Sequence, residues 1–203
     1  MDEPVVIGLT GGIACGKSTI AKVLKRLGAV IIDADREGKV VVKKDSPAWR
    51  EIVAEFGREI LNPDGSINRR RLGNKVFGQP EKLKRLNSIV HPRMMDNIRD
   101  KIRYYKQKDD VPAIVLDAAL LFEAKADDLV DVVWVVTVDR ETQINRLMNR
   151  DKLDCKLAVQ RVEAQMPVEE KIARADAVID NMGTRRQTRE RILELWAQYT
   201  KID

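Results

Sequence analysis

An apolar run, Val5-Val6-Ile7-Gly8-Leu9, breaks into Thr10-Gly11-Gly12-Ile13-Ala14-Cys15-Gly16-Lys17-Ser18-Thr19 and then resumes as Ile20, Val23, Leu24 and Leu27 at helical spacing. Gly11, Gly16, Lys17 and Ser18 fit the pattern G-x-x-x-x-G-K-[ST], which requires a strand before it and a helix after it. Both flanks are present. The glycines allow a tight turn whose backbone N–H groups point inward at a polyphosphate, and the positive end of the following helix adds to that attraction. In this pattern Lys17 reaches the β- and γ-phosphates, and the Ser18 hydroxyl sits on a magnesium ion. A chain that opens in this way is committed to an α/β fold with a parallel sheet.

The remaining strands follow the same logic. Val30-Ile31-Ile32 ends in Asp33-Ala34-Asp35, Ala113-Ile114-Val115-Leu116 ends in Asp117, Val132 to Thr137 is apolar and precedes Asp139, and Ala177-Val178-Ile179 ends in Asp180-Asn181. Ligand sites of open parallel sheets lie beyond the carboxyl ends of the strands. Asp33, Asp35, Asp117 and Asn181 are therefore expected at the edge that carries the loop. Asp33 there can accept a substrate proton or hydrogen-bond a sugar hydroxyl, whereas for Asp35 helix capping is an equal alternative. Asp117 stands where loop proteins of this kind place the carboxylate that holds magnesium. Ala118 follows it rather than a water-activating Glu, which argues against a hydrolytic machine. Glu123, after Leu120-Leu121-Phe122, places another acid near the same edge, with a plain surface role as its alternative. Asn181 can offer donor and acceptor together to an adenine edge, or simply serve a turn.

Between the second and third strands, about Arg36 to Lys108, the pattern is helical. Ser46 caps a helix that starts at Pro47, carries Trp49, Ile52, Val53 and Phe56 on one face and closes at Gly57. Leu83, Leu86 and Val90 form a second face, and Met95, Ile98, Ile102 and Tyr105 a third, with Pro92 expected to separate these two helices. A roughly 70-residue block is long for a crossover and reads as a substrate-binding insertion. Arg69, Arg70 and Arg71 give that insertion a basic run suited to a phosphate, or a solvated face. His91, the only histidine, has a packing or substrate-contact role open to it. After the fourth strand, Ile144, Leu147 and Met148 are expected to face inward on a helix, with Gln143, Arg146 and Arg150 on the opposite side as part of a mobile, arginine-bearing lid.

Composition limits the alternatives. The chain has 203 residues, enough for one compact domain or one with a sizeable insertion, and Lys and Arg outnumber Asp and Glu by 37 to 32, for a net charge of +5. That excess suits a phosphorylated ligand better than a nucleic acid, because no basic tract is interleaved with aromatics. Cys15 and Cys155 are the only cysteines, so neither a zinc site nor a disulfide framework is expected. Cys15 lies inside the loop, where a helix terminus can lower a thiol pKa, or where it can simply fill a small space. The N-terminus lacks a signal-peptide pattern and no apolar run approaches a membrane span, so a cytoplasmic location is expected. The guanine-reading pattern N-K-x-D is absent from the sequence.

The ordered set of stretches, Leu9-Thr10-Gly11-Gly12-Ile13 with Gly16-Lys17-Ser18, Asp33-Ala34-Asp35, Asn68-Arg69 with Leu72, Leu86-Asn87 with His91-Pro92, Leu120-Leu121-Phe122-Glu123, Gln143 with Arg146 and Arg150, Gln165-Met166-Pro167, and Ala175-Asp176 with Asn181 and Gly183, resembles the dephospho-coenzyme A kinase family over nearly the whole length. Two positions depart from the family pattern: Ala119 stands where a proline is usual, and Cys15 where a smaller residue is usual. The resemblance implies a P-loop fold like that of nucleoside-monophosphate kinases, a parallel five-stranded sheet flanked by helices. It implies a nucleotide-binding core of residues 1–35 and 109–203, a helical insertion for the coenzyme substrate at 36–108, and a lid at 140–172. The implied reaction moves the γ-phosphate of ATP, with Mg2+, to the ribose 3′-hydroxyl of dephospho-coenzyme A. Gly12, Ile13, Ala14, Cys15, Gly16, Lys17, Ser18 and Thr19 would then surround the ATP phosphates, and Asn181 would approach the adenine. Lys17, Asp33, Arg146 and Arg150 become the catalytic set, Ser18 and Asp117 the metal ligands, and Thr10, Asp35, Arg69, His91, Asp117 and Glu123 the acceptor contacts. The expected partners are small molecules, with no nucleic acid and no membrane, and the chain a monomer or weak homo-oligomer.

Overall fold

Strands that are apolar along their whole length must be covered on both faces, and this is how the sheet is built in the computed structural model, which describes residues 3–76 and 78–200. In chain order the elements are β1 (Val5–Gly11), α1 (Lys17–Arg26), β2 (Val30–Asp33), α2 (Ala34–Val41), α3 (Pro47–Phe56), α4 (Arg69–Val76), α5 (Pro80–Lys106), β3 (Ala113–Asp117), β4 (Val132–Thr137), α6 (Arg140–Asp151), α7 (Cys155–Glu163), α8 (Val168–Ala173), β5 (Ala177–Asp180) and α9 (Arg185–Thr200). Two short 3₁₀ turns lie at Arg58–Ile60 and Asp127–Leu129. By packing, the chain divides into two units, one of residues 1–33 with 102–203 and one of residues 34–101.

The first unit holds one all-parallel five-stranded sheet of order β2-β3-β1-β4-β5. Chain progress reverses at β1, so the central strand delivers its loop to the crevice where ligands of such sheets lie. Ile7 and Leu9 of β1 pack with Trp134 and Val136 of β4 and Ile179 of β5 against Ile20 and Leu24 of α1 and Ile192, Leu195 and Trp196 of α9. The alternate residues Val6, Ile114, Leu116, Val133 and Val135 are buried as well. Two acids fasten strand starts: Asp131 Oδ2 accepts the Val6 N–H at 2.8 Å, and Asp176 Oδ2 accepts the Val133 N–H at 2.7 Å.

The second unit is built from helices. Val41, Ile52, Phe56, Leu72, Val76 and Ile89 lie in one apolar cluster, and Ser46 caps α3 by accepting the Trp49 N–H at 3.1 Å. A hairpin-like turn at Asn62 to Gly65 returns the chain so that Leu61 and Ile67 form an antiparallel bridge. Pro92 does not separate two helices, contrary to the sequence expectation. It lies inside the single helix α5. Proline costs an interior helix about 3 kcal/mol, and here buried residues on both sides, Ile89, Met95 and Ile98, hold the helix through it. Arg93 Nη1 also donates to the Ile89 carbonyl at 2.7 Å. Leu83, expected on the apolar face, is 46% exposed, and Ile89 takes the core position instead. Among the described residues no helix is long and apolar enough to cross a membrane.

Candidate active site

β1 ends at Gly11 and α1 begins at Lys17, which leaves Gly12 to Gly16 as the turn between them. Gly16 caps α1 in the left-handed region, with φ +96°, and a Cβ there would lie 2.2 Å from Asn181 Nδ2. Only glycine fits both the backbone and the space. At Gly12 a Cβ would meet Gln143 Nε2 at 2.1 Å, so this side chain of α6 rests directly on the loop. Ile13 and Ala14 turn outward and pack against Ile144, Leu147 and Ala158, which explains apolar residues in a phosphate-type loop. Cys15 points inward and is 1% exposed. Burial pushes its thiol pKa up, against smaller lowering contributions from the Lys17 backbone N–H and the Lys17 charge. Its side chain belongs to the apolar cluster of the sheet unit, as the space-filling alternative expects.

The carboxylates arrive by strand register. Asp117 is the Cα partner of both Leu9 in β1 and Asp33 in β2, so the two acids end adjacent strands in one row, level with the strand that feeds the loop. Lys17 Nζ forms an ion pair with Asp117 Oδ1, both side chains mostly buried. Asp33 is exposed at the strand end, and Ser18 is exposed in the first turn of α1. No cluster of three or more His, Cys, Asp or Glu side chains able to hold a metal exists among the described residues. Magnesium does not need one, because it is held by one or two protein oxygens with water and phosphate completing the shell. The Ser18 hydroxyl and Asp117 carboxylate, both oxygen donors beside the loop, fit that chemistry.

A second layer braces the loop. Ile13 N–H donates to Gln165 Oε1 at 2.6 Å, Asn181 Nδ2 donates to the Cys15 carbonyl at 2.8 Å, and Thr188 Oγ1 donates to Asn181 Oδ1 at 3.2 Å. Asn181 thus uses both ends of its amide within the protein. Arg146 reaches the same corner, with Nη2 donating to the Asn181 carbonyl at 3.3 Å. Arg150 instead pairs with Asp151, where Arg161 also binds. Gln143, expected beside the two arginines on an exposed face, is 5% exposed. Its contact with Gly12 turns it inward. A cavity of about 480 Å³ opens between Gly12, the start of α6 (Asp139, Arg140, Gln143) and residues 162 to 169.

Thr10 Oγ1 donates to the Ala119 carbonyl at 3.2 Å, and Glu123 Oε1 accepts from Met166 N–H at 3.1 Å and from Lys171 Nζ at 2.9 Å. Burial works against the Glu123 carboxylate, yet hydrogen bonds from Lys171, its own backbone and Met166 hold it below the usual range. The sequence reading omitted Lys171 and gave Gln165 no role of its own; the only available signal was the Gln165-Met166-Pro167 stretch. Asp35, Arg69 and His91 belong to the second unit. Asp35 is exposed in the first turn of α2 and Arg69 is exposed at the start of α4. His91 is half-buried in α5, and burial lowers its pKa. Arg71, in the same basic run, donates to the Leu61 carbonyl at 2.7 Å and serves the turn before its helix.

Comparison with known proteins bears on the family to which the chain belongs. Residues 5–187 match the family model described as dephospho-CoA kinase. A dephospho-CoA kinase of Geobacter sulfurreducens is 51% identical over 193 residues, covering 95% of this chain and 98% of the relative, and one of Carboxydothermus hydrogenoformans is 47% identical over 201 residues, covering 97% of each. Among solved structures, TT1252 from Thermus thermophilus superposes with a TM-score of 0.81 at 30% identity, covering 96% of both chains. The dephospho-CoA kinase from Campylobacter jejuni gives 0.68 at 26% identity, covering 98% and 99%. Shikimate kinase from Acinetobacter baumannii, 16% identical with a TM-score of 0.53 and coverage of 96% and 94%, shares the fold. A loop, a row of strand-end acids and an arginine helix thus occur together in a chain that belongs to the dephospho-CoA kinase family.

Proposed function

We infer that this chain transfers the γ-phosphate of ATP to the ribose 3′-hydroxyl of dephospho-coenzyme A, giving coenzyme A and ADP, the last step of coenzyme A synthesis. The observation that carries the reading is the strand row: Asp33 and Asp117 end adjacent strands in register with the strand that opens into the Gly11-to-Ser18 loop. Anion cradle and proton acceptor are thus offered at one edge.

In this reading the loop amides from Gly12 to Thr19 and Lys17 take the β- and γ-phosphates, so Lys17 exchanges Asp117 for the nucleotide. Ser18, with Asp117 acting through water, would hold Mg2+, which when bound offsets charge on the β,γ-phosphates. Asp33 orients the ribose hydroxyl and accepts its proton as the new O–P bond forms and the bond from the γ-phosphorus to the bridging oxygen of ADP breaks. Positioning outweighs basicity in such a loose transition state. Arg146 and Arg150 neutralise charge on the migrating group, while Thr10, Asp35, Arg69, His91 and Glu123 contact the acceptor. Residues 36–108 form the acceptor-binding insertion, and 140–172 form a lid that excludes water. Asn181 acts at the nucleotide end by bracing the loop beneath it. The enzyme works in the cytoplasm on small molecules, as a monomer or weak homo-oligomer, without nucleic acid or membrane partners.

The test is an acceptor panel with labelled ATP and magnesium, containing dephospho-coenzyme A, adenosine, shikimate and gluconate. Label is expected in the dephospho-coenzyme A product alone. Transfer to another acceptor and none to dephospho-coenzyme A refutes the reading.

A further inference from the structure

A lysine without any solvent exposure needs a reason, because a charged group taken out of water is retained only where partners compensate for it. Lys171 of α8 is 0% exposed, whereas its apolar neighbour Ile172 is 40% exposed. Its Nζ donates to the Ala119 carbonyl at 3.0 Å and pairs with Glu123 Oε1 at 2.9 Å. That same Glu123 oxygen accepts the Met166 N–H, and the residue before Met166 is Gln165, whose Oε1 accepts the Ile13 N–H of the loop at 2.6 Å. The path from Lys171 to a loop amide therefore runs through one carboxylate oxygen, one backbone step and one side chain.

Further contacts lie at the C-terminal end of α8. Arg174, three residues on, lies over the Phe122 ring at 4.1 Å and binds Asp127 Oδ2 at 2.6 Å. These contacts hold the end of the helix independently of Lys171, so a docking role and a positioning role for the lysine are separable by experiment. What Lys171 adds is direction: it holds one oxygen of Glu123 where Met166 can donate to it.

We propose that Lys171 is a positioning residue for phosphoryl transfer, fixing Glu123 and the Gln165-Met166 turn so that Gln165 sets the orientation of the Ile13 amide in the phosphate loop. Lys171 touches neither nucleotide nor acceptor and acts through these side chains. The inference rests on the kinase reading above. An inactive wild type in the acceptor panel would overturn that reading, whereas only the comparison of variants bears on Lys171.

The test is a double-mutant cycle of Lys171→Met and Gln165→Ala, read as kcat and KM for ATP and dephospho-coenzyme A per folded molecule. A displaced loop amide is expected to reduce kcat about tenfold in Lys171→Met. The KM values should stay within about twofold of wild type, and Lys171→Arg should recover most of the rate. In the Gln165→Ala background the same Lys171→Met change is expected to cost no more than about twofold, because the path is already cut. An unchanged kcat in Lys171→Met, or the same loss in both backgrounds, overturns the proposal. If Lys171→Met does not fold, Lys171→Gln, which keeps a polar head group without the charge, replaces it in the cycle and is judged by the same two outcomes.

Discussion

Gly16→Ala tests how the loop is held. The residue sits at φ +96°, and the added methyl would fall 2.2 Å from Asn181 Nδ2. A non-glycine residue in the left-handed region costs about 1–2 kcal/mol. The displaced Asn181 amide also loses its bonds to the Cys15 carbonyl and from Thr188, each worth about 1 kcal/mol. Together these come to about 3–4 kcal/mol, or about 6–16 °C in Tm for a chain of this size. Asn181→Ala removes the same two bonds but also the obstacle. In its background Gly16→Ala should keep only the backbone strain, so the coupling between the two sites is the two lost bonds, about 2 kcal/mol. Thermal unfolding of the four proteins followed by circular dichroism, with and without magnesium ATP, measures this directly. The nucleotide-induced rise in Tm should shrink in Gly16→Ala, since the distorted turn carries the phosphate-facing amides. Strict additivity, or a Tm for Gly16→Ala equal to wild type, refutes the idea that the glycine is required by its neighbour across the loop.

Other expectations follow from the same site. Asp33→Asn should reduce kcat by about 10²-fold or more, the scale of a positioned acid–base group, with KM for ATP nearly unchanged; full activity in steady-state assays sinks the assignment. Arg146→Ala should slow single-turnover transfer by about 10²-fold, and Arg150→Ala should do less because its guanidinium is already engaged by Asp151; equal losses contradict this ranking. Thiol labelling of the native protein should be fast at exposed Cys155 and slow at buried Cys15, and rapid modification of both would show the loop to be open. Because the Cys15 thiol is raised above its ordinary 9.0 by burial, its contribution to stability is intact below that value and is lost as pH rises through the folded value. Urea midpoints should therefore fall less steeply above pH 9 in Cys15→Ala than in wild type, and parallel pH curves would contradict that.

Much of the nucleotide half was legible in one dimension, because its determinants are local. A glycine-rich break between an apolar run and a helical stripe has few foldable solutions, and strands buried on both faces announce themselves as uninterrupted Val, Ile and Leu. The acids at their ends could be assigned to one edge because parallel strands share a direction. The helical block was legible as a block, and its caps at Ser46 and Gly57 are where the turn chemistry put them. Pro92 was misjudged because a proline weakens a helix locally, while the burial of Ile89, Met95 and Ile98 that overrides it is a property of packing.

From residue order alone came the phosphate loop, the five strands and the acids at their ends, since each depends on neighbours along the chain. Assembly decided the rest. It turned Gln143 inward onto Gly12, sent Arg146 to the loop and Arg150 to Asp151, and buried Lys171 while leaving Ile172 in water. Each of these outcomes turns on a partner distant in sequence whose position is set only when helices close on the sheet, and no periodicity within a helix records where such a partner will be.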